Sequence, residues 1–140
     1  MNPIQAPMVN PMPMVDPRTY PRKWANAIQS GNIKAILDLY SPSAVLVPTY
    51  SSSILQGHKE LAGYFREFTA RPNMQVSITK VVMRRDKATP AVSGFYTIKF
   101  GNGGPNETAK ARFTYVLEPV RDQQGNVAWR AITHHSSVVP

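Results

Sequence analysis

The residues best equipped for chemistry stand near the C-terminus, in the stretch W-R-A-I-T-H-H-S-S-V-V-P from Trp129 to Pro140. Imidazole beside hydroxyl can pass protons near neutral pH, because unperturbed histidine has a pKa of about 6.5. Positioned hydroxyls can also hold a water or donate to a developing carboxylate. The stretch reads as a strand, with Trp129, Ile132, Val138 and Val139 as its apolar contacts. Successive side chains of a strand face opposite ways, so His135 and Ser137 share one face with Thr133, and His134 and Ser136 share the other. The same pattern fits a half-wet edge strand whose polar residues only meet solvent.

Several familiar chemistries are poorly served. Catalytic zinc takes three protein ligands, yet His134 and His135 diverge across one strand and His58 reads as the exposed start of a distant helix. Ser137 and His135 share a face, but an i, i+2 pair on a strand seldom gives nucleophile–base geometry, and no G-x-S-x-G motif is present. Asp38, Glu60, Glu67 and Glu118 read as surface charges rather than a carboxylate pair. The glycines from Gly101 to Gly104 lack the lysine and following helix of a phosphate loop and read as a hairpin turn. What remains is a set of hydroxyls, imidazoles and one arginine: Thr49, Tyr64, Arg112, His135 and Ser137. On spacing alone Tyr64 is an ordinary core aromatic, and Arg112 is as readily a solvent-facing charge as a pocket cation.

The elements that must position these groups follow from periodicity. Trp24, Ala27 and Ile28 have helical spacing, and Ile33, Ile36, Leu37 and Tyr40 resume it after Gly31-Asn32, until Pro42 forbids more helix. Ala44 to Pro48 is a short strand, Thr49 to Ser53 a hydroxyl-rich loop, and Ile54 to Gly57 another extended piece. Leu61, Tyr64, Phe65 and Phe68 mark an amphipathic helix closed by Pro72. Two-residue alternation then takes over in Met74 to Arg85, Pro90 to Phe100, Thr108 to Val120 and the terminal stretch. Helices followed by long antiparallel strands predict an α+β domain, a curved antiparallel sheet with three helices on one face and a conical cavity between them.

The 140 residues suffice for one domain. Prolines at 3, 7, 11, 13, 17 and 21 predict a proline-rich tail over 1–20, ahead of a domain over 21–140. The absence of cysteine rules out disulfides and thiolate sites. A net charge of +8 reads first as a solvated basic surface and second as attraction for small anions or nucleic acid, without the aromatic-plus-basic signature of a nucleic-acid module. No apolar run reaches membrane-spanning length, so a soluble protein is expected. The stretch over 1–20 lacks a signal peptide's basic start and apolar run. The compartment stays open: cytoplasmic, or exported or organellar if a targeting segment has been removed.

The segments I-Q-S-G-N (28–32), L-Y-S-P-S-A-V (39–45), L-Q-G-H-K-E-L-A-G-Y-F (55–65), A-R-F-T-Y-V (111–116) and the H-H-S-S ending resemble one family. It is the group related to the association domain of calcium/calmodulin-dependent protein kinase II, in the cone-shaped NTF2-like superfamily, and the match covers roughly residues 20–140. Its free-standing members with this ending look like the iota class of carbonic anhydrases. That resemblance implies a pocket in which hydroxyls and imidazole hold bicarbonate, in some members without a metal and in others with manganese. It places Thr49, Tyr64, His135 and Ser137 in the pocket, and Arg112 at the position of the kinase domain's pocket arginine. The expectation is therefore hydration of carbon dioxide with His135 as proton acceptor, no metal or other cofactor, and a homodimer associating through its sheets. The alternative is a non-catalytic NTF2-like module that binds a small molecule or serves assembly.

Overall fold

The computed structural model describes residues 15–140, so most of the expected tail lies outside the described residues. Its last residues are folded rather than tail-like. The Val15 amide donates to Val127 O, and Trp129 Nε1 donates to Val15 O at 2.6 Å. Asp16 accepts from the Arg18 amide and caps a 3-10 turn over Pro17–Thr19. The end of the expected tail is thus docked on the domain, held by a tryptophan more than a hundred residues away.

Helix α1 (Tyr20–Ser30) buries Tyr20, Trp24, Ala25 and Ile28. It stops at Gly31, whose φ of 68° is in the left-handed region that glycine tolerates. Asn32 then accepts from the Ala35 amide and starts α2 (Ile33–Leu37). The expected break at Gly31 is thus a paired stop and start. Strand β1 (Tyr40–Val47) and the two-residue β2 (Leu55–Gln56) lead into α3 (Gly57–Thr69). His58 Nε2 donates to Tyr40 O at 2.8 Å, so this half-buried imidazole ties α3 to β1 instead of lying free on the surface.

Strands β3 (Gln75–Arg84), β4 (Ala91–Phe100), β5 (Glu107–Arg121) and β6 (Val127–Val138) follow. The sheet order is β2-β1-β6-β5-β4-β3. The sheet was expected to be antiparallel, but β1 pairs with β6 in parallel, so the sheet is mixed. The chain leaves β1 through α3 to the far edge, and such a crossover permits parallel pairing. The terminal strand sits between β1 and β5 and is not an edge strand.

Two irregularities bend the sheet. Register shifts at Thr79, between Ile78 and Lys80, and at Ile132, between the Val116–Thr133 and Leu117–Ala131 pairs. Each leaves one extra residue, a bulge that increases local twist. Gly94 lies across from the first: a Cβ there would come within 1.8 Å of Lys80 O. The core, with Trp24, Ile28, Leu61, Phe65, Tyr96, Phe113, Tyr115 and Leu117, fills the space between the helices and one face of the sheet. The opposite face leaves Val82 54% and Phe95 38% exposed. Among the described residues no helix is long and apolar enough to cross a membrane.

Candidate functional site

The bulge at Ile132 decides which polar residues of β6 enter the cone. Trp129 and Ala131 point into the core, Ile132 and Thr133 are both half-buried, and His134 and Ser136 are buried. His135 is exposed and Ser137 half-buried on the outer face, where they pair with Thr114 and Arg112 of β5. Arg112 is exposed there too, because Ala111 and Phe113 take the inward positions. Of the five residues expected in one pocket, Thr49 and Tyr64 line the cavity, whereas His135, Ser137 and Arg112 do not reach it. The imidazole and hydroxyl that do so are His134 and Ser136, one residue earlier in each case.

At the closed end of the cone, Trp24, Thr49, Tyr64, Tyr96, His134 and Ser136 surround a cavity of about 10 Å³. That is room for about one water-sized group. All of these residues but Tyr64 join, through Tyr40, in a single hydrogen-bond chain. Trp24 Nε1 lies 2.8 Å from Tyr40 Oη, which lies 2.7 Å from His134 Nδ1. His134 Nε2 is 3.3 Å from Tyr96 Oη. Tyr96 donates in a short contact to Ser136 Oγ, which shares a second short contact with Thr49 Oγ1.

The direction of this chain follows from its first member. Indole N–H can only donate, so Tyr40 Oη accepts from Trp24. The Tyr40 proton then has His134 Nδ1 as its acceptor, and a buried hydroxyl left without one would be costly. Nδ1 being an acceptor, the neutral imidazole carries its proton on Nε2 and donates to Tyr96. Tyr96 donates to Ser136, and within the Ser136–Thr49 pair either hydroxyl can donate, so one of the two keeps a proton to offer the cavity. Burial pushes the His134 pKa down to about 3, with the nearby His135 acting the same way, so the ring is neutral around neutral pH. Burial raises Tyr40 and Tyr96, which stay protonated. Aromatic rings hold the imidazole: Tyr115 stacks on it at 4.1 Å between centroids, and Trp24 meets it edge-on at 5.5 Å. The site therefore presents hydrogen-bond donors and no free base. Among the described residues no group of three histidines or carboxylates could hold a metal ion.

Tyr64 separates this cavity from the outside. It also lines a groove of about 380 Å³ together with Tyr50, Leu55, Glu60, Gly63, Glu67, Phe68 and Arg71. Its hydroxyl is pushed up to about 12, chiefly by burial, with the Tyr50 backbone and the Arg71 charge opposing. A larger groove of about 730 Å³, lined among others by Asp16, Met83, Pro90 and Trp129, contains none of these hydroxyls.

Tyr40, Tyr96, His134 and Ser136 escaped sequence reasoning. Tyr40 and Tyr96 looked like plain core aromatics. The one available signal for the other two was the spacing of Trp129 and Ile132, both apolar and three apart, which a regular strand cannot put on one face.

Comparison with known proteins agrees with the architecture. A solved structure from Xanthomonas campestris, described as a calcium/calmodulin-dependent protein kinase II association domain, is 29% identical, with a TM-score of 0.75 over 87% of this chain and 84% of that one. An NTF2-like dehydratase structure from Streptomyces avermitilis is 20% identical, with a TM-score of 0.72 over 86% and 91%. A ketosteroid isomerase-like protein from Erwinia carotovora atroseptica is 17% identical, with a TM-score of 0.65 over 87% and 92%. No curated protein matches the sequence. The likeness to kinase II association domains expected from the sequence is found, and the NTF2-like fold with it. Residues 19–140 match the SnoaL-like domain, and the chain belongs to that family.

Proposed function

We propose that this domain is a small-molecule-binding module whose cone holds an oxygen-bearing ligand against Thr49, Ser136 and Tyr64. The observation that supports it is the polarity of the hydrogen-bond chain. It begins at an obligatory donor, Trp24, and ends in a hydroxyl pair, Ser136 and Thr49, one of which has a proton free for the cavity. Such an end suits a carbonyl, carboxylate or bicarbonate oxygen. The enzymes of this fold include isomerase-like and dehydratase-like proteins, but fold alone does not assign chemistry. A base-catalysed isomerisation needs a carboxylate or free imidazole at the reacting carbon. No carboxylate lines the cavity, and the acceptor nitrogen of His134 is occupied by Tyr40. The test is a nuclear magnetic resonance titration with bicarbonate and with acetate. Shifts should centre on Thr49, His134 and Ser136 and vanish in Thr49→Val; shifts that avoid these residues would refute the reading.

Hydration of carbon dioxide is the second reading. The sequence resemblance and the hydroxyl groups lining the cavity favour it. His135 is too exposed to be its proton acceptor, and His134 is committed, so the proton would pass to solvent. Thr49, Ser136 and Tyr64 would hold water and product, with no metal or other cofactor. In a hydration assay with and without chelator, Ser136→Ala and Tyr64→Phe should each lower the rate about tenfold or more. Equal rates in wild type and both variants would leave the binding module alone. Assembly of two copies through the outer sheet face, where Val82, Phe95 and half-buried Val116 stand, completes the proposal.

A further inference from the structure

The groove outside Tyr64 carries a cation that, among the described residues, no carboxylate pairs. Arg71 lies just beyond α3, and its guanidinium sits 5.0 Å from the Tyr50 ring centroid, 5.5 Å from Phe68 and 5.4 Å from Phe100. Such a position over aromatic faces fixes a guanidinium while leaving its in-plane donors open. One of them, NH1, donates to Glu67 O at 3.3 Å. Among the described residues the ion pairs are Arg18–Asp16, Lys34–Asp38 and Arg130–Glu118, so no carboxylate neutralises Arg71.

The second observation is Gly63. It occupies the middle of α3 and lines the groove, where a Cβ would meet nothing within 4 Å. Glycine inside a helix costs roughly 0.5–1 kcal/mol relative to alanine, and neither a positive φ nor a close neighbour requires one here. What its missing side chain provides is open space in the groove that Arg71 also lines. The remaining walls are the Tyr50, Tyr64 and Phe68 rings and Leu55.

We infer that this groove, with Arg71 as its anion-holding residue and Gly63 as its opening, binds a planar aromatic carboxylate. The acid group pairs with the guanidinium, where two parallel N–H···O bonds fit a carboxylate. The ring lies among Tyr50, Tyr64 and Phe68. Two lining carboxylates bear on the choice of ligand. Glu60 Oε1 accepts from the Gln56 amide at 2.9 Å and is engaged at the start of α3. Glu67 is exposed and opposes an anion, so its effect separates a simple acid from a zwitterion. The inference rests on the binding reading above and names the ligand class for the route past Tyr64.

The test is calorimetric titration of the full chain with benzoate, and with benzamide as the uncharged control of the same shape. Benzoate should bind and benzamide should bind at least about tenfold more weakly. Arg71→Gln should weaken benzoate by at least about tenfold, with Arg71→Lys between the two. Gly63→Leu should abolish binding while the melting temperature holds or rises, which separates blockage from unfolding. Glu67→Gln should tighten benzoate. No heat with benzoate, equal affinity for benzamide, indifference to Arg71→Gln, or weaker binding in Glu67→Gln would each overturn the inference. Benzoate that perturbs Thr49 and Ser136 resonances yet ignores Arg71→Gln would overturn this inference alone. Benzoate that depends on Arg71 while no ligand perturbs those resonances would sustain the groove and sink the apex reading.

Discussion

Acid should destabilise this protein through a single buried ring. Folded His134 has a pKa near 3, against the ordinary 6.5, because burial disfavours its cation. The unfolded chain therefore takes up the proton first as pH falls. The stabilisation from a neutral His134 is complete above the unfolded value and is lost progressively as pH drops toward the folded one. One pKa unit corresponds to about 1.4 kcal/mol, so the whole gap amounts to about 5 kcal/mol at the acid limit. Between about pH 7 and about pH 4.5 the same linkage predicts a loss of about 2.5 kcal/mol. That window is informative because the strongest carboxylate perturbation, Asp16 held down to about 2 by Arg18, acts at lower pH.

The assay is urea unfolding at both pH values, for wild type and for His134→Asn. Asparagine can still accept from Tyr40 but cannot take up the proton. It gives up the Nε2 hydrogen bond to Tyr96 and part of the ring packing, so at neutral pH it should cost about 2–3 kcal/mol. Its stability should then be nearly flat over the window in which wild type declines, once the slope shared by both proteins is subtracted. A wild type as stable at about pH 4.5 as at about pH 7 would refute the argument, and so would an equal decline in the variant.

Other substitutions probe the rest of the structure. The Tyr115 hydroxyl is buried without a partner, so Tyr115→Phe should leave stability unchanged or raise it by about 1 kcal/mol in thermal or urea melts. Gly94→Ala should cost about 1–3 kcal/mol or more, because the added methyl would collide with Lys80 O at 1.8 Å. His135→Ala and Arg112→Ala, both on the exposed outer face, should shift stability by no more than about 0.5 kcal/mol and leave ligand-induced resonance shifts at Thr49 and Ser136 in place. Phe95→Glu, on the outer face beside Val82, should convert a sedimenting dimer to a monomer, whereas a monomeric wild type would dismiss the interface.

Much of the fold was legible because periodicity is local. Leu61, Phe65 and Phe68 recur at helical spacing, and α3 packs that face on β1. Val92, Tyr96 and Ile98 alternate, and all three are buried. The parallel pairing of β1 with β6 was not legible, since it depends on where a crossover lands and not on any residue's preference. The site was half legible. Thr49, on the turn after β1, and Tyr64, on α3, were placed in the pocket by the family resemblance rather than by periodicity, and both line the cavity. For β6 the alternation gave the correct pairs of residues, His134 with Ser136 and His135 with Ser137, but not which pair faces the core.

That choice turns on Ile132. Counting outward from Trp129 and Ala131 in steps of two sends Thr133, His135 and Ser137 into the cone. One extra residue reverses everything after it, because the side-chain period is two. The bulge also places the imidazole rather than a threonine hydroxyl beside Tyr40, and so lets Trp24 set the tautomer of His134. A single unpaired position on the sheet thus determines that the apex offers a hydroxyl donor at the Thr49–Ser136 pair, and with it the ligands that the cone can hold.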